Sequence, residues 1–462
     1  MSDKKVLTTI NPATEEQIAT YDVYSKNQVK KEIELCHQAF MSWKQVSLED
    51  RAEKISAIGE HLKKNKAPLA ELMTREMGKL LKHSKQEIDL CIAICQYTAK
   101  NGQKELKDEH RELPDGGKGI ITYSPIGVIY GIQPWNFPVY QVIRYAVANL
   151  MAGNGVLLKH AENVTGCGLT LERLFKEAGL PENLFKVLLL DHDTSDMVIN
   201  HDLVRGVTLT GSSGAGEIIA EKAGKALKKT VLELGSNDAY LVLADADIEL
   251  AVKHCVRGRV YNNGETCVAA KRFVVVKDVY DEFTKAFVEK MSQLKIGDPK
   301  AEDVKIGPMA REDLRDKLHK QVEDSVKNGA EVLCGGEKPN QKGFYYPATV
   351  LGNVTPGQPA YDEELFGPVA SLIKANDDDD AMRIANDSRF GLGGGIFSKD
   401  TDKAINMAKH HFDTGIVLIN SYGVAQPNMP FGGVKDSGYG REHGGFGIKE
   451  FVNAKSIMLL ER

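Results

Sequence analysis

Gly127-Val128-Ile129-Tyr130-Gly131-Ile132-Gln133-Pro134-Trp135-Asn136-Phe137-Pro138 decides the fold. The first half is a near-continuous apolar run, the pattern of a strand covered on both faces, and such strands belong to parallel sheets flanked by helices. The second half is a turn in which two prolines bracket Asn136. N-terminal to it, Gly119–Tyr123 also reads as a strand, whereas the first hundred residues read as helices. Ser25 and Gln28 resemble a capping box ahead of Val29, Ile33, Cys36, Phe40 and Trp43 at helical spacing. Further helical stretches run from Leu48 to Lys64 and from Pro68 toward Glu76, the last ending near Gly78. C-terminal to the turn, strand signals at Val156–Lys159, Phe185–Leu190, Gly206–Thr210, Lys229–Leu234 and Ala239–Leu243 alternate with helices near Gly168–Ala178, at Thr194–Asn200 and from Gly214. That alternation predicts a doubly wound parallel sheet. It restarts at Asp247 with a helix to Tyr261, a strand at Arg272–Val276 and a helix at Tyr280–Leu294, so a second α/β unit is expected. Asp377–Asp380 reads as an acidic helix start.

With 462 residues, 42% hydrophobic and 27% charged, the chain can bury more than one core. Lys+Arg (59) against Asp+Glu (64) gives a net charge of -5 with no basic block, which argues against nucleic acid or an anionic membrane as partner. No run of apolar residues is long enough for a transmembrane helix. The seven cysteines are odd in number and lack a CxxC, fitting neither a disulfide framework nor a zinc site, so no metal is expected. The first residues lead into no apolar signal segment, and the reading is a cytoplasmic protein with free thiols.

Five places carry candidate chemistry. Cys267, in Tyr261-Asn262-Asn263-Gly264-Glu265-Thr266-Cys267, lies in a polar, glycine-containing loop, where a thiol can ionise and be reached by substrate. Elsewhere a cysteine is by default a small buried hydrophobe. Asn136 follows a strand end, where open α/β sheets bind ligands, and its amide suits a developing oxyanion; a rigid turn with no chemistry is the plain alternative. Leu209-Thr210-Gly211-Ser212-Ser213-Gly214-Ala215-Gly216 is a strand-to-helix turn whose amides suit a phosphate, although it lacks GxGxxG. Glu233 ends an apolar strand, a setting that raises a carboxyl toward a general-base pKa unless it is salt-bridged. Glu364 and Phe366 lie in Glu363-Glu364-Leu365-Phe366-Gly367-Pro368, which reads equally well as a plain turn.

Taken together, and with Pro430-Phe431-Gly432-Gly433-Val434-Lys435-Asp436-Ser437-Gly438-Tyr439-Gly440-Arg441-Glu442, these segments resemble the NAD(P)-dependent aldehyde dehydrogenase superfamily over nearly the whole chain. Within it the chain is most similar to bacterial succinate-semialdehyde dehydrogenases. The resemblance implies an α/β fold: a Rossmann-like cofactor domain (1–102 and 126–235), a second α/β catalytic domain (236–435) and a small β oligomerisation element (103–125 and 436–462). It implies a homodimer or homotetramer. By the same resemblance Cys267 is the nucleophile, Asn136 the oxyanion amide and Glu233 the residue that activates water. Lys159, Glu162 and Glu364 match cofactor-ribose ligands. Gly211, Ser212 and Gly216 lie at the pyrophosphate, and Trp135, Leu234 and Phe366 at the nicotinamide end. Arg144, with Tyr140 and Tyr261, is expected to hold the substrate's far carboxylate. Glu162 implies NAD in preference to NADP, by repelling a 2′-phosphate.

The chain departs from the family pattern in three places. Lys159-His160-Ala161-Glu162 replaces the usual Lys-Pro start, and Gly235-Ser236-Asn237 lacks the usual lysine. Glu265 stands where glutamine is usual and is expected to raise the thiol's pKa. A second substrate arginine found in some relatives is Tyr261 here. The competing readings are another aldehyde as substrate, transfer of the acyl group to CoA, or a cysteine acyltransferase or hydrolase without a dinucleotide.

Overall fold

In the computed structural model, which describes residues 5–114 and 116–459, Val128–Gln133 lies inside a six-stranded sheet and is covered on both faces. The order across this sheet is Gly438–Tyr439, Lys229–Glu233, Val204–Thr210, Val128–Gln133, Gly155–His160 and Phe185–Val187. All pairs are parallel except the short edge strand Gly438–Tyr439 against Lys229–Glu233. From Val128–Gln133 the chain first builds outward through Gly155–His160, then crosses back to Val204–Thr210. The switch point therefore lies beside the turn that carries Asn136, where ligands of such sheets bind.

The second sheet has seven strands in the order Glu331–Cys334, Thr349–Gly352, Val369–Ala375, Arg272–Val276, Ala239–Val242, Gly393–Phe397 and Ile416–Ile419, antiparallel only at the first pair. The expected strand Ala239–Leu243 thus belongs to the middle of the second sheet and does not close the first. Alternation counts strands, but it does not say which sheet each one joins.

Two other elements escape the sequence reading. Val6–Ile10 and Gln17–Asp22 form a hairpin where helices were expected; it buries one face only, so its apolar signal is faint. Leu81–Glu105 is a 25-residue helix that packs along Leu48–Lys64. Several local expectations hold. Ser25 and Gln28 cap Lys26–Trp43 reciprocally, Gly78 ends Lys66–Met77 at φ 80, and Asp377 caps Asp378–Asn386. The expected strand near Gly119–Tyr123 is Lys118–Pro125, the middle of a separate antiparallel sheet between Val452–Leu459 and Glu109–Glu112. No helix among the described residues is long and apolar enough to cross a membrane.

Candidate active site

Cys267 follows three consecutive residues in the left-handed region, Asn262 (φ 55), Asn263 (φ 58) and Gly264 (φ 78). Asparagine tolerates that conformation because its short amide bonds locally. Here Asn262 Nδ2 donates to the carbonyls of Asn136 (2.9 Å) and Glu265 (3.0 Å), and Asn263 Nδ2 donates to Pro308 O (2.9 Å). A Cβ on Gly264 would sit 2.4 Å from the Gly367 backbone. The polar residues of the loop are thus internal braces, buried rather than solvated. They hold a half-buried thiol at the edge of a cavity of about 570 Å³. Burial pushes that thiol up to about 12, with Arg144 and Lys271 pulling it down and Glu233 and Glu364 pushing it further up.

Glu265 does not act as expected. Its carboxylate side chain accepts the Ala310 N–H at 3.0 Å, and burial drives its pKa well above the ordinary carboxylate range. The charged groups that act on the thiol are Arg144, Lys271, Glu233 and Glu364, and Glu265 is not one of them. Nor does the missing lysine after Gly235 leave the site without a second cation. Asn237 donates to Tyr361 O (2.8 Å), while Lys271, which no motif singles out, reaches Cys267 O (2.5 Å).

Asn136 lines the cavity; its Nδ2 donates to Glu265 O (3.1 Å) and its Oδ1 accepts from Gln141 (3.3 Å). The Cys267 backbone N–H has no hydrogen-bond partner among the described residues. His160, at the unusual loop position, ties this turn to the sheet. Its Nε2 lies 2.8 Å from Pro138 O and its Nδ1 lies 3.2 Å from Gln133 O, so the ring sits between carbonyls of the turn and of the sheet. Burial lowers its pKa to about 4, so the ring stays neutral.

Two cavities share Pro134 and Thr210 and form one groove along the strand ends. The thiol end is lined by Trp135, Gly211, Ser212, Leu234, Glu364 and Phe366. Trp135 and Phe366 meet edge to face, with ring centroids 5.8 Å apart. Ser212 caps the helix Ser213–Lys225, leaving that N-terminus facing the groove. Gly216 does not line it; a Cβ there would lie 2.5 Å from Leu234, so this glycine serves helix packing. At Gly235 a Cβ would lie 2.6 Å from Glu364, and its absence admits that carboxylate, which accepts the Ser236 N–H at 3.0 Å. The far end, about 670 Å³, is lined by Lys159, Glu162 and Arg311. A helix N-terminus, open glycines and a carboxylate at each end fit a dinucleotide.

On the other side of the thiol the packing is tight. Arg144 is 2% exposed, ion-pairs with Glu442 through Nε and donates from Nη2 to Thr210 Oγ1 (2.7 Å). Its guanidinium lies over the rings of Tyr140 (5.3 Å) and Phe431 (5.1 Å), and Nη1 has no partner. Arg144 and Tyr140, expected to hold the substrate's carboxylate, do not line the large cavity; of this helix only Gln141 does. Arg144 instead borders a separate space of about 30 Å³. Tyr140 bonds His443 Nε2 at 3.0 Å, and Tyr261 is half-buried between His83 and Phe137. Glu233 is buried with neither carboxyl oxygen bonded; one lies 2.8 Å from where a Cβ on Gly432 would be. Burial pushes its carboxyl up to about 8, against the Arg144 cation and with help from Glu442. Glu442, which completes this side, was legible only as the last residue of the C-terminal motif, and the neighbouring His443 was not singled out.

The sequence pattern that defines the aldehyde dehydrogenase family matches residues 1–457. The chain belongs to that family. It is 44% identical to the succinate semialdehyde dehydrogenase [NAD(P)+] Sad of Escherichia coli K12, over 97% of this chain and 96% of that protein. It is 41% identical to a succinate-semialdehyde dehydrogenase [NADP(+)] of Deinococcus radiodurans, over 97% and 94%. The crystal structure of succinic semialdehyde dehydrogenase from Streptococcus pyogenes in complex with NADP+ superposes with a TM-score of 0.95 at 35% identity, covering 98% of this chain and 99% of that one. Aldehyde oxidation is the family's reaction, and its cofactor is NAD(P).

Proposed function

We propose that the chain oxidises succinate semialdehyde to succinate, with NAD preferred over NADP. The observation that carries the substrate is Arg144: a buried cation held by Glu442 and Thr210, with Nη1 still unpaired. The names of the relatives support the same choice. In this reading the Cys267 thiol loses its proton to solvent, the thiolate attacks the aldehyde carbon, and the carbonyl oxygen, becoming an alkoxide, takes hydrogen bonds from Asn136 Nδ2 and the Cys267 N–H. NAD(P), when bound, accepts the hydride released as the carbon becomes a thioester. Glu233 turns from Gly432 toward the thiol and takes a proton from water, whose oxygen attacks the thioester, releasing the acid and the Cys267 thiolate. Lys159 and Glu162 hold the adenosine ribose, Gly211 and Ser212 the pyrophosphate, and Glu364 the nicotinamide ribose. Trp135, Leu234 and Phe366 wall the nicotinamide end. Tyr140 and Tyr261 bound the substrate beside Arg144.

The first sheet forms the cofactor domain and the second the catalytic domain in this reading. Residues 103–125 and 436–462 make the assembly element, although Gly438–Tyr439 also extends the first sheet. Ile457, Met458 and Leu459 are 47%, 67% and 63% exposed on the edge strand of the three-stranded sheet, and pairing there with a second copy gives a dimer or tetramer. All seven cysteines are free, as a cytoplasmic location requires. The test is reduced-nicotinamide absorbance with succinate semialdehyde, longer semialdehydes and butyraldehyde, each with NAD and NADP. A higher kcat/KM for butyraldehyde would overturn the substrate.

A further inference from the structure

Lys271 lies four residues after the thiol and just ahead of Arg272–Val276, with a side chain 1% exposed. Its position is rigid. Its own N–H donates to Asp238 O (3.2 Å), its carbonyl accepts the Ser371 N–H (3.0 Å), and the next residue, Arg272, donates to Asn237 O (3.0 Å) and Ala385 O (2.8 Å). The ammonium reaches Cys267 O (2.5 Å), Thr266 O (3.2 Å) and Glu364 Oε1 (3.3 Å). Two of its donors thus meet carbonyls of the loop that carries the nucleophile, and its charge pairs with a carboxylate on the groove wall. The Cys267 carbonyl sets the peptide plane after the thiol, so a cation that holds it also holds the stretch of backbone from which the thiol projects.

We propose that Lys271 is a positioning residue that links ligand occupancy at Glu364 to the placement and reactivity of Cys267. This rests on the reading of Glu364 as a nicotinamide-ribose ligand. When ribose hydroxyls share Glu364, the carboxylate holds the ammonium less strongly, and the lysine's pull on the loop carbonyls and on the thiolate grows. Reactivity of the thiol therefore answers to the cofactor through one side chain. The Lys271 cation is also among the groups that favour the thiolate.

The test uses the full chain with Lys271→Met, Lys271→Gln, Glu364→Gln and the Lys271→Met/Glu364→Gln double variant. Alkylation of Cys267 by iodoacetamide is followed by peptide mass from neutral to alkaline pH, with and without NAD, and NADH affinity is measured by fluorescence. Lys271→Met is expected to slow alkylation at neutral pH about tenfold, one pKa unit's worth of thiolate, and to abolish the effect of NAD on the profile. Lys271→Gln, which keeps donors but no charge, is expected to share the pH shift and guards against a misfolded Met variant. The double variant should bind NADH no more weakly than the worse single one. Wild-type pH profiles and NAD response in both Lys271 variants, or additive losses in the double variant, would overturn the link. Unchanged NADH affinity in Glu364→Gln would instead overturn the ribose reading of Glu364, while the Lys271 alkylation profiles still decide whether the lysine acts on the thiol.

Discussion

Toward the cofactor groove, Cys267 faces about 570 Å³ of space walled by a helix N-terminus, glycines and strand ends. Around Arg144 the packing is closed by side chains drawn from distant parts of the chain: Tyr140, Glu442, Phe431 and Thr210 meet the guanidinium, and His443 bonds Tyr140. The first region is open, and in the proposed function it takes the dinucleotide. The second stores a desolvated cation on an internal carboxylate. Stripping a guanidinium of water is costly unless it is paired, and Glu442 meets that cost in the folded protein. In the proposed function an incoming carboxylate meets an arginine that has already lost its water, so the groove would recognise a shape and the arginine side a charge.

The largest expected effect separates the two regions cleanly. Cys267→Ala should lower turnover by on the order of 10⁴-fold or more, as loss of a nucleophile does, while NADH titration shows unchanged affinity, since the groove walls do not depend on the sulfur. Loss of NADH binding in that variant would mean that the groove and the thiol loop are one structural unit. Glu233→Gln comes next, at roughly 10²–10⁴-fold in steady-state rate. Stopped-flow should still show a burst of NADH, because acylation uses no base at Glu233. The base form exists above its pKa, so wild-type thioester hydrolysis should rise with pH through about 8, and the variant's should not. A variant with full steady-state turnover would remove Glu233 from the mechanism.

The same contrast explains what the sequence made legible. Groove residues come in short runs, such as Thr210-Gly211-Ser212 and Leu234-Gly235, at the ends of strands whose apolar pattern is itself a local signal. Their placement follows once the doubly wound order is recognised. Gly216 looked like part of that run, yet helical geometry turns it toward Leu234 and away from the groove. The Arg144 side has no such local code. Arg144 and Glu442 are nearly three hundred positions apart, and only folding reveals that they pair. Lys271 went unread because a lysine before Arg272–Val276 looks like an ordinary strand start, and the N-terminal hairpin because it packs on one face only.

Arg144→Ala sharpens the charge half of the comparison. Truncation strands Glu442 in the interior, so folding will suffer along with binding. The informative quantity is the ratio of kcat/KM for succinate semialdehyde to that for butyraldehyde within one variant, from which general damage cancels. That ratio is expected to fall by about 2 kcal/mol, roughly thirtyfold. Equal loss on both aldehydes would make Arg144 a purely structural partner of Glu442 and reopen the choice of substrate.

The smallest effect lies at the far end of the groove. Glu162 is exposed on the wall of the cavity of about 670 Å³, beside Lys159 and within the field of Arg311. If it holds the adenosine ribose, a 2′-phosphate brings like charge against it, worth ~4 kcal/mol at ~4 Å and an effective dielectric of ~20. Exposure and salt screen most of that, leaving a preference for NAD of roughly ten- to a hundredfold in kcat/KM. Arg311 would favour the phosphate, but its guanidinium is already engaged bidentately by Asp313 at 2.8 and 2.6 Å. The relative from Deinococcus radiodurans, named for NADP(+), pulls the other way. Glu162→Gln, which keeps the size and removes the charge, decides between the two: the NAD/NADP ratio should move toward NADP by about tenfold. Equal kcat/KM for both cofactors in the wild-type enzyme, unchanged in this variant, would show that the groove reads only the dinucleotide's shape at this end, with no contribution from charge.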